Sequence, residues 1–165
     1  MVRFRLKGRH WARAALLLAV ASQAPMAGAG TNEPALVLVR GPEAVELTLG
    51  ELDALPKKTI VTENEFADGQ VAYRGPLVRD VLERLALDQT EKVRLLAAND
   101  YYVDIPTSDF MTYDVILAME ADGRELSQRE MGPLWLMYPI SDHAELRDPT
   151  YIQRLIWQVI RIESL

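Results

Sequence analysis

The residue types that could do covalent or metal chemistry are sparse. No cysteine occurs in 165 residues, which excludes a thiolate nucleophile, a disulfide, a Cys-held zinc or iron–sulfur cluster and a thiolate-ligated molybdenum. A nucleophile–base–acid set needs Ser, Cys or Thr beside a base, normally His. Ser141-Asp142-His143 puts those types side by side, but triad partners meet in space and adjacency along the chain does not make one. The 24 Asp and Glu residues offer carboxylate pairs for glycoside chemistry without singling one out. Neither common Gly-rich phosphate loop is present.

The chain is better supplied with parts that hold a flat, polar heterocycle. Tyr101, Tyr102, Trp135, Tyr138, Tyr151 and Trp157 offer stacking faces, and Glu63, Asn64, Asp100, Arg129, Glu130 and Arg154 offer donors and acceptors near loops. Each has a plainer reading. Trp157 sits in the apolar stretch Ile156-Trp157-Gln158-Val159 and reads first as core, loop Arg and Glu side chains read as solvated, and Trp135 serves equally as wall or core. If residues 134–138 form a strand, Trp135 and Tyr138 need not share a face.

The elements that must position these residues alternate short strands with short helices. Leu36–Arg40 and Val45–Thr48 flank Gly41-Pro42 and predict a hairpin. Thr48 and Glu51 form a capping-box pattern for a helix over Leu49–Leu55, which Pro56 ends. Strands are expected at Thr59–Thr62 and Val71–Tyr73 around the polar loop 63–69, long enough to be functional. Gly75-Pro76 is expected to open an amphipathic helix with Leu77, Val81, Leu82 and Leu85 inward. Strands Val93–Ala97 and Tyr102–Ile105 surround the Asn99-Asp100 turn. Thr107-Ser108-Asp109 suits a helix start, followed by strands at Val115–Glu120 and Leu134–Tyr138, and Tyr151–Ile162 carries a helical turn into a last strand. No repeat or long linker interrupts residues 34–165. The class is α+β, a single domain with mixed or antiparallel sheets and short helices.

Residues 1–29 read as an address. Five basic residues and no acid precede the apolar run Ala14–Ala21, and Ala27-Gly28-Ala29 gives a small-x-small end; these are the three parts of a secretory signal peptide. The apolar run is far shorter than the ~20 residues a membrane-spanning helix needs. The expected mature domain is residues 30–165, exported to the periplasm after cleavage near Ala29. It keeps thirteen basic residues against 24 acidic ones, a net charge of −11 in place of −6. Phosphate backbones repel such a chain, so nucleic acid is not an expected partner.

Four stretches, in order, resemble the sulfite-oxidase-fold molybdopterin-binding domain: Leu47–Pro56, Tyr73–Leu82, Ala98–Pro106 and Gly132–Pro139. In that family's enzymes the loop after the third strand carries the cysteine that binds molybdenum. Here the corresponding loop, around Thr62–Phe66, has none, and Trp135 stands where the enzymes typically place an Arg. The Gly-Pro-Leu-Trp…Tyr-Pro and Arg154–Gln158 stretches resemble the exported, cysteine-less branch, the periplasmic pterin-binding regulators of the PruR type. The resemblance implies a non-catalytic module that binds a metal-free reduced pterin. It also implies a partner, the periplasmic sensory domain of an inner-membrane cyclic-di-GMP enzyme.

Carried onto this chain, the resemblance makes Glu63 and Asn64 neighbours of the lost metal ligand and puts Tyr101 at the pocket rim. Glu130 supplies a polar group before Gly-Pro-Leu, Trp135 replaces the Arg, and Arg154 offers a basic side chain before the last strand. Tyr138 completes the set, with Asp100 and Arg129 in reserve. A pterin suits such residues: one carboxylate can take its N–C–N donor edge bidentately, and aromatic rings cover its face. Two rival readings are a molybdopterin-dependent oxidoreductase with non-cysteine ligation and an interaction domain with a vestigial pocket.

Overall fold

The computed structural model describes residues 33–165; the expected signal peptide, residues 1–29, lies outside that range. No helix among the described residues is long and apolar enough to cross a membrane.

The first hairpin forms as the sequence predicts. Strand β1 (Leu36–Arg40) pairs antiparallel with β2 (Glu43–Leu47) across Gly41-Pro42. Helix α1 (Leu49–Asp53) starts at Thr48, whose hydroxyl accepts from the Glu51 N–H while the Glu51 carboxylate accepts from the Thr48 N–H, a reciprocal capping box. Strands β3 (Lys57–Glu63) and β4 (Gln70–Pro76) run longer than expected, and Gly75-Pro76 ends β4 where a helix start was predicted. Packing requires this: a Cβ on Gly75 would stand 1.8 Å from the Leu117 carbonyl oxygen, so only glycine lets β4 lie this close to the 116–118 strand. The amphipathic helix α2 (Val78–Leu82) follows and buries Val78, Val81 and Leu82.

Strands β5 (Lys92–Ala97) and β6 (Tyr102–Pro106) pair through the turn at Asn99-Asp100, and α3 (Thr107–Thr112) follows. The stretch expected as one strand over 115–120 divides into β7 (Ile116–Ala118) and β8 (Glu120–Ala121). The two belong to different sheets. β8 pairs with β4 and with β9 (Arg124–Glu125), whereas β7 pairs with β10 (Trp135–Met137). Helix α4 (Pro149–Ile152) precedes β11 (Val159–Ser164). Trp157 lies before β11, in an isolated bridge to Trp135, where the sequence suggested a continuous strand.

The result is a five-stranded sheet in the order β2-β1-β11-β5-β6, a four-stranded sheet in the order β3-β4-β8-β9, and the β7–β10 pair. Among the described residues only the β1–β11 pairing is parallel, so the expectation of mixed, mainly antiparallel sheets holds. Alternate residues of β1 and β5 (Leu36 and Leu38; Val93, Leu95 and Ala97) enter the core, as a one-face-buried sheet requires. β7 and β10 are buried throughout and join Val78, Val81 and Leu82 in one continuous core with Tyr73 and Ile162.

Candidate functional site

Two clefts open on either side of the β3–β4 loop. The first, about 340 Å³, has Tyr73 and Trp135 in its walls and charged side chains from the 122–130 segment at its rim: Asp122, Glu125 and Glu130 against Arg124 and Arg129. The second, about 310 Å³, is more apolar, lined by Tyr101, Ile152, Leu155, Ile156 and Trp157, with Glu65 as its charged member. Phe66, at the tip of the loop, lines both.

The loop is shaped by Asn64. Its Nδ2 donates to the Tyr73 hydroxyl at 2.8 Å and its Oδ1 accepts from the Phe66 N–H at 2.9 Å, an Asx turn that faces the loop tip inward. Phe66 thereby reaches Trp135 and Trp157 edge-on, with ring centroids 5.9 and 5.1 Å away, and Tyr73 meets Trp135 in the same manner at 5.5 Å. Burial pushes the Tyr73 phenol above its ordinary pKa, and Asp122 pushes the same way while the Asn64 hydrogen bond opposes. The hydroxyl therefore stays protonated, accepting from Asn64 and keeping its own proton to donate.

The opposite rim is a 3₁₀ turn over Gln128–Glu130. Glu130 Oε2 accepts from the Ser127 hydroxyl at 2.7 Å and the Ser127 N–H at 3.3 Å, and these bonds hold its carboxyl below the ordinary range. Gly132 anchors the segment: a Cβ there would stand 2.1 Å from the Leu126 carbonyl oxygen. Trp135 is 4% exposed, and its Nε1 donates to the Leu155 carbonyl at 3.3 Å. That bond turns the indole N–H into the protein and leaves ring carbon to the cleft.

The residues selected from sequence do not gather at one point. Glu130, Trp135 and Arg129 line the first cleft; Tyr101 lines the second, its hydroxyl donating to the Gln153 carbonyl at 3.1 Å; and Asn64 lies behind Phe66. Glu63 ends β3, where its N–H donates to Ser141 Oγ at 3.0 Å, and it lines neither cleft. Asp100 occupies the β5–β6 turn at φ +65°. Tyr138 and Arg154 meet elsewhere: both bond Asp109 Oδ2, the tyrosine at 2.8 Å, and the guanidinium also lies over the Tyr151 ring at 4.9 Å. Neither lines either cleft.

Sequence reasoning missed Phe66 and Tyr73. Phe66 did carry a signal, being a large aromatic among Glu63-Asn64-Glu65 and Ala67-Asp68-Gly69 where no core periodicity accounts for it. Tyr73 looked like any inward residue of a strand.

The model of the oxidoreductase molybdopterin binding domain family matches residues 37–142, and the chain belongs to that family. Among solved structures, the sulfane dehydrogenase SoxCD from Paracoccus pantotrophus superposes with a TM-score of 0.57 at 17% identity, over 78% of this chain. The matched part is 37% of that chain, and at this identity the likeness is one of fold. No curated protein sequence matches.

The donor set decides which part of a molybdenum cofactor the site could take. The chain has no thiolate to offer a molybdenum, and among the described residues no group of three or more His, Asp or Glu side chains is placed to hold a metal ion. The residues do not fit a metal held through a protein thiolate. They do fit a planar heterocycle, with aromatic walls, a buried neutral phenol and carboxylates at the rim.

Proposed function

We propose that this protein is a non-catalytic pterin-binding module, the pterin lying in the first cleft beside Trp135 and Tyr73. The observation that carries the reading is the pairing of a thiolate-free donor set with an aromatic-walled cleft in a chain of a molybdopterin-binding family. The pterin's N–C–N donor edge is placed on the Glu130 carboxylate, whose Oε1 makes no hydrogen bond among the described residues. Arg129 and Arg124 face the carbonyl side. The output belongs to the same proposal: an exported protein, cleaved near Ala29, presents its loaded or empty state to the periplasmic domain of an inner-membrane cyclic-di-GMP enzyme.

The test is what the mature protein carries when purified from its native periplasm. Mass spectrometry should find a stoichiometric, metal-free fluorescent pterin. Stoichiometric molybdenum in elemental analysis would overturn the reading in favour of an oxidoreductase with non-cysteine ligation. A protein that neither copurifies with nor binds added pterin would leave an interaction domain. For the partner, co-purification with a membrane protein bearing a cyclic-di-GMP synthesis or hydrolysis domain is expected, and its absence from crosslinked membranes would remove that part.

A further inference from the structure

Phe66 stands between the two clefts. It lines both, and its ring is wedged between Trp135 of the first and Trp157 of the second at 5.9 and 5.1 Å. It is 37% exposed, so its place in the loop is not explained by core packing. Asn64 holds it from behind, accepting from the Phe66 N–H at 2.9 Å while tied to Tyr73 at 2.8 Å. Each cleft alone, about 340 and 310 Å³, is at the small end of ligand pockets. Joined, they would accept a much longer ligand.

We propose that Phe66 is a specificity-determining partition: it confines the ligand to a bare bicyclic pterin in the first cleft and excludes pterins whose tail must cross toward Tyr101 and Trp157. The inference rests on the pterin reading above and adds what that reading leaves open, the permitted size of the ligand. The exclusion is steric, because a tail leaving the first cleft meets a ring braced by two aromatic neighbours. Asn64 is a positioning residue, acting through Phe66.

Two probes separate the possibilities: 6-hydroxymethylpterin, which has almost no tail, and folic acid, the same ring with a p-aminobenzoylglutamate tail. Fluorescence titration of the mature chain is expected to give hydroxymethylpterin binding at least about tenfold tighter than folate. In Phe66→Ala the preference should narrow or invert, through a gain of about tenfold or more for folate. Adding Tyr101→Ala should remove that gain, since the tail then lies against Tyr101. If Phe66→Ala does not fold, Phe66→Leu carries the test, with a smaller shift in the same direction. An unchanged preference in the variant, with hydroxymethylpterin still bound, overturns the partition and leaves the pterin reading intact. A parent protein that binds neither probe overturns both.

Discussion

The Tyr138 hydroxyl donates to Asp109 Oδ2 at 2.8 Å, and the Arg154 guanidinium bonds the same oxygen. One carboxylate thus ties the end of β10 to α3 and to the segment before β11, in a region where Tyr138 is fully buried. Two side chains chosen from sequence as ligand contacts are partners of this carboxylate. Asp109→Ala leaves a buried phenol and a mostly buried guanidinium unpaired and should cost about 3 kcal/mol. Tyr138→Phe removes one hydrogen bond and should cost about 1 kcal/mol. Urea unfolding checks both, and equal costs would show that the Arg154–Asp109 pair adds nothing beyond the bond from Tyr138.

The same pair sets an alkaline limit. Burial pushes the Tyr138 phenol well above its ordinary value of 10.0; the Asp109 carboxylate adds to this and Arg154 opposes it. The unfolded chain therefore releases this proton first, near pH ~10. The stabilising contribution is whole below that pH and is lost as pH climbs toward the higher folded value. The urea midpoint should fall above about pH 10, less steeply in Tyr138→Phe. Identical alkaline slopes in the two proteins would assign the loss to other groups.

What the sequence disclosed and what it hid divide by range. The Gly41-Pro42 hairpin and the Thr48/Glu51 capping box were readable because both partners of each lie within a few residues. The parallel pairing of β1 with β11, and the parting of β7 from β8, depend on partners far along the chain. The aromatic character of the site was legible residue by residue. Its division into two clefts was not, because that depends on where one loop ring comes to rest between two tryptophans. The bonds from Tyr138 and Arg154 to Asp109 were not legible either, because Asp109 lies on another element and gives no local sign.

Gly75 tests the packing that sets β4 against β7. Gly75→Ala drives a methyl group into the Leu117 carbonyl, 1.8 Å from its oxygen, and both sides of the clash are backbone. The strands must separate, which should cost about 3 kcal/mol. Thermal unfolding measures this, and a melting temperature within error of the parent would show that the strands can part freely.

Trp135 has two roles that one substitution confounds. Trp135→Ala removes a side chain only 4% exposed and should destabilise by about 3 to 5 kcal/mol; in protein that remains folded it should also weaken pterin binding by about 1 to 3 kcal/mol. Trp135→Phe separates the effects. It keeps an aromatic wall but loses the bond from Nε1 to the Leu155 carbonyl and part of the buried ring, so stability should fall by about 2 kcal/mol while most pterin affinity survives. Affinity unchanged in folded Trp135→Ala would remove this residue from the site.

Glu130 is where recognition and protonation meet. Its Oε2 is committed to Ser127, and the hydrogen bonds from the Ser127 hydroxyl and N–H hold the carboxyl below its ordinary value of 4.5. The group therefore stays ionised as pH drops through the usual carboxylate range. Pterin affinity should be flat from neutral pH to about 5 and fall only below the ordinary carboxylate value. Glu130→Gln keeps the shape but replaces one acceptor oxygen with a donor amide that faces either Ser127 or the pterin edge. It should lower pterin affinity about tenfold, the scale of a lost charge-assisted contact to the open Oε1. Stability should stay close to that of the parent, since the side chain is solvent-exposed. Titration of Glu130→Gln beside Glu125→Gln assigns the contact, because only the carboxylate under the pterin edge should show the loss. An effect confined to Glu125→Gln would move the recognition edge one turn back along the rim.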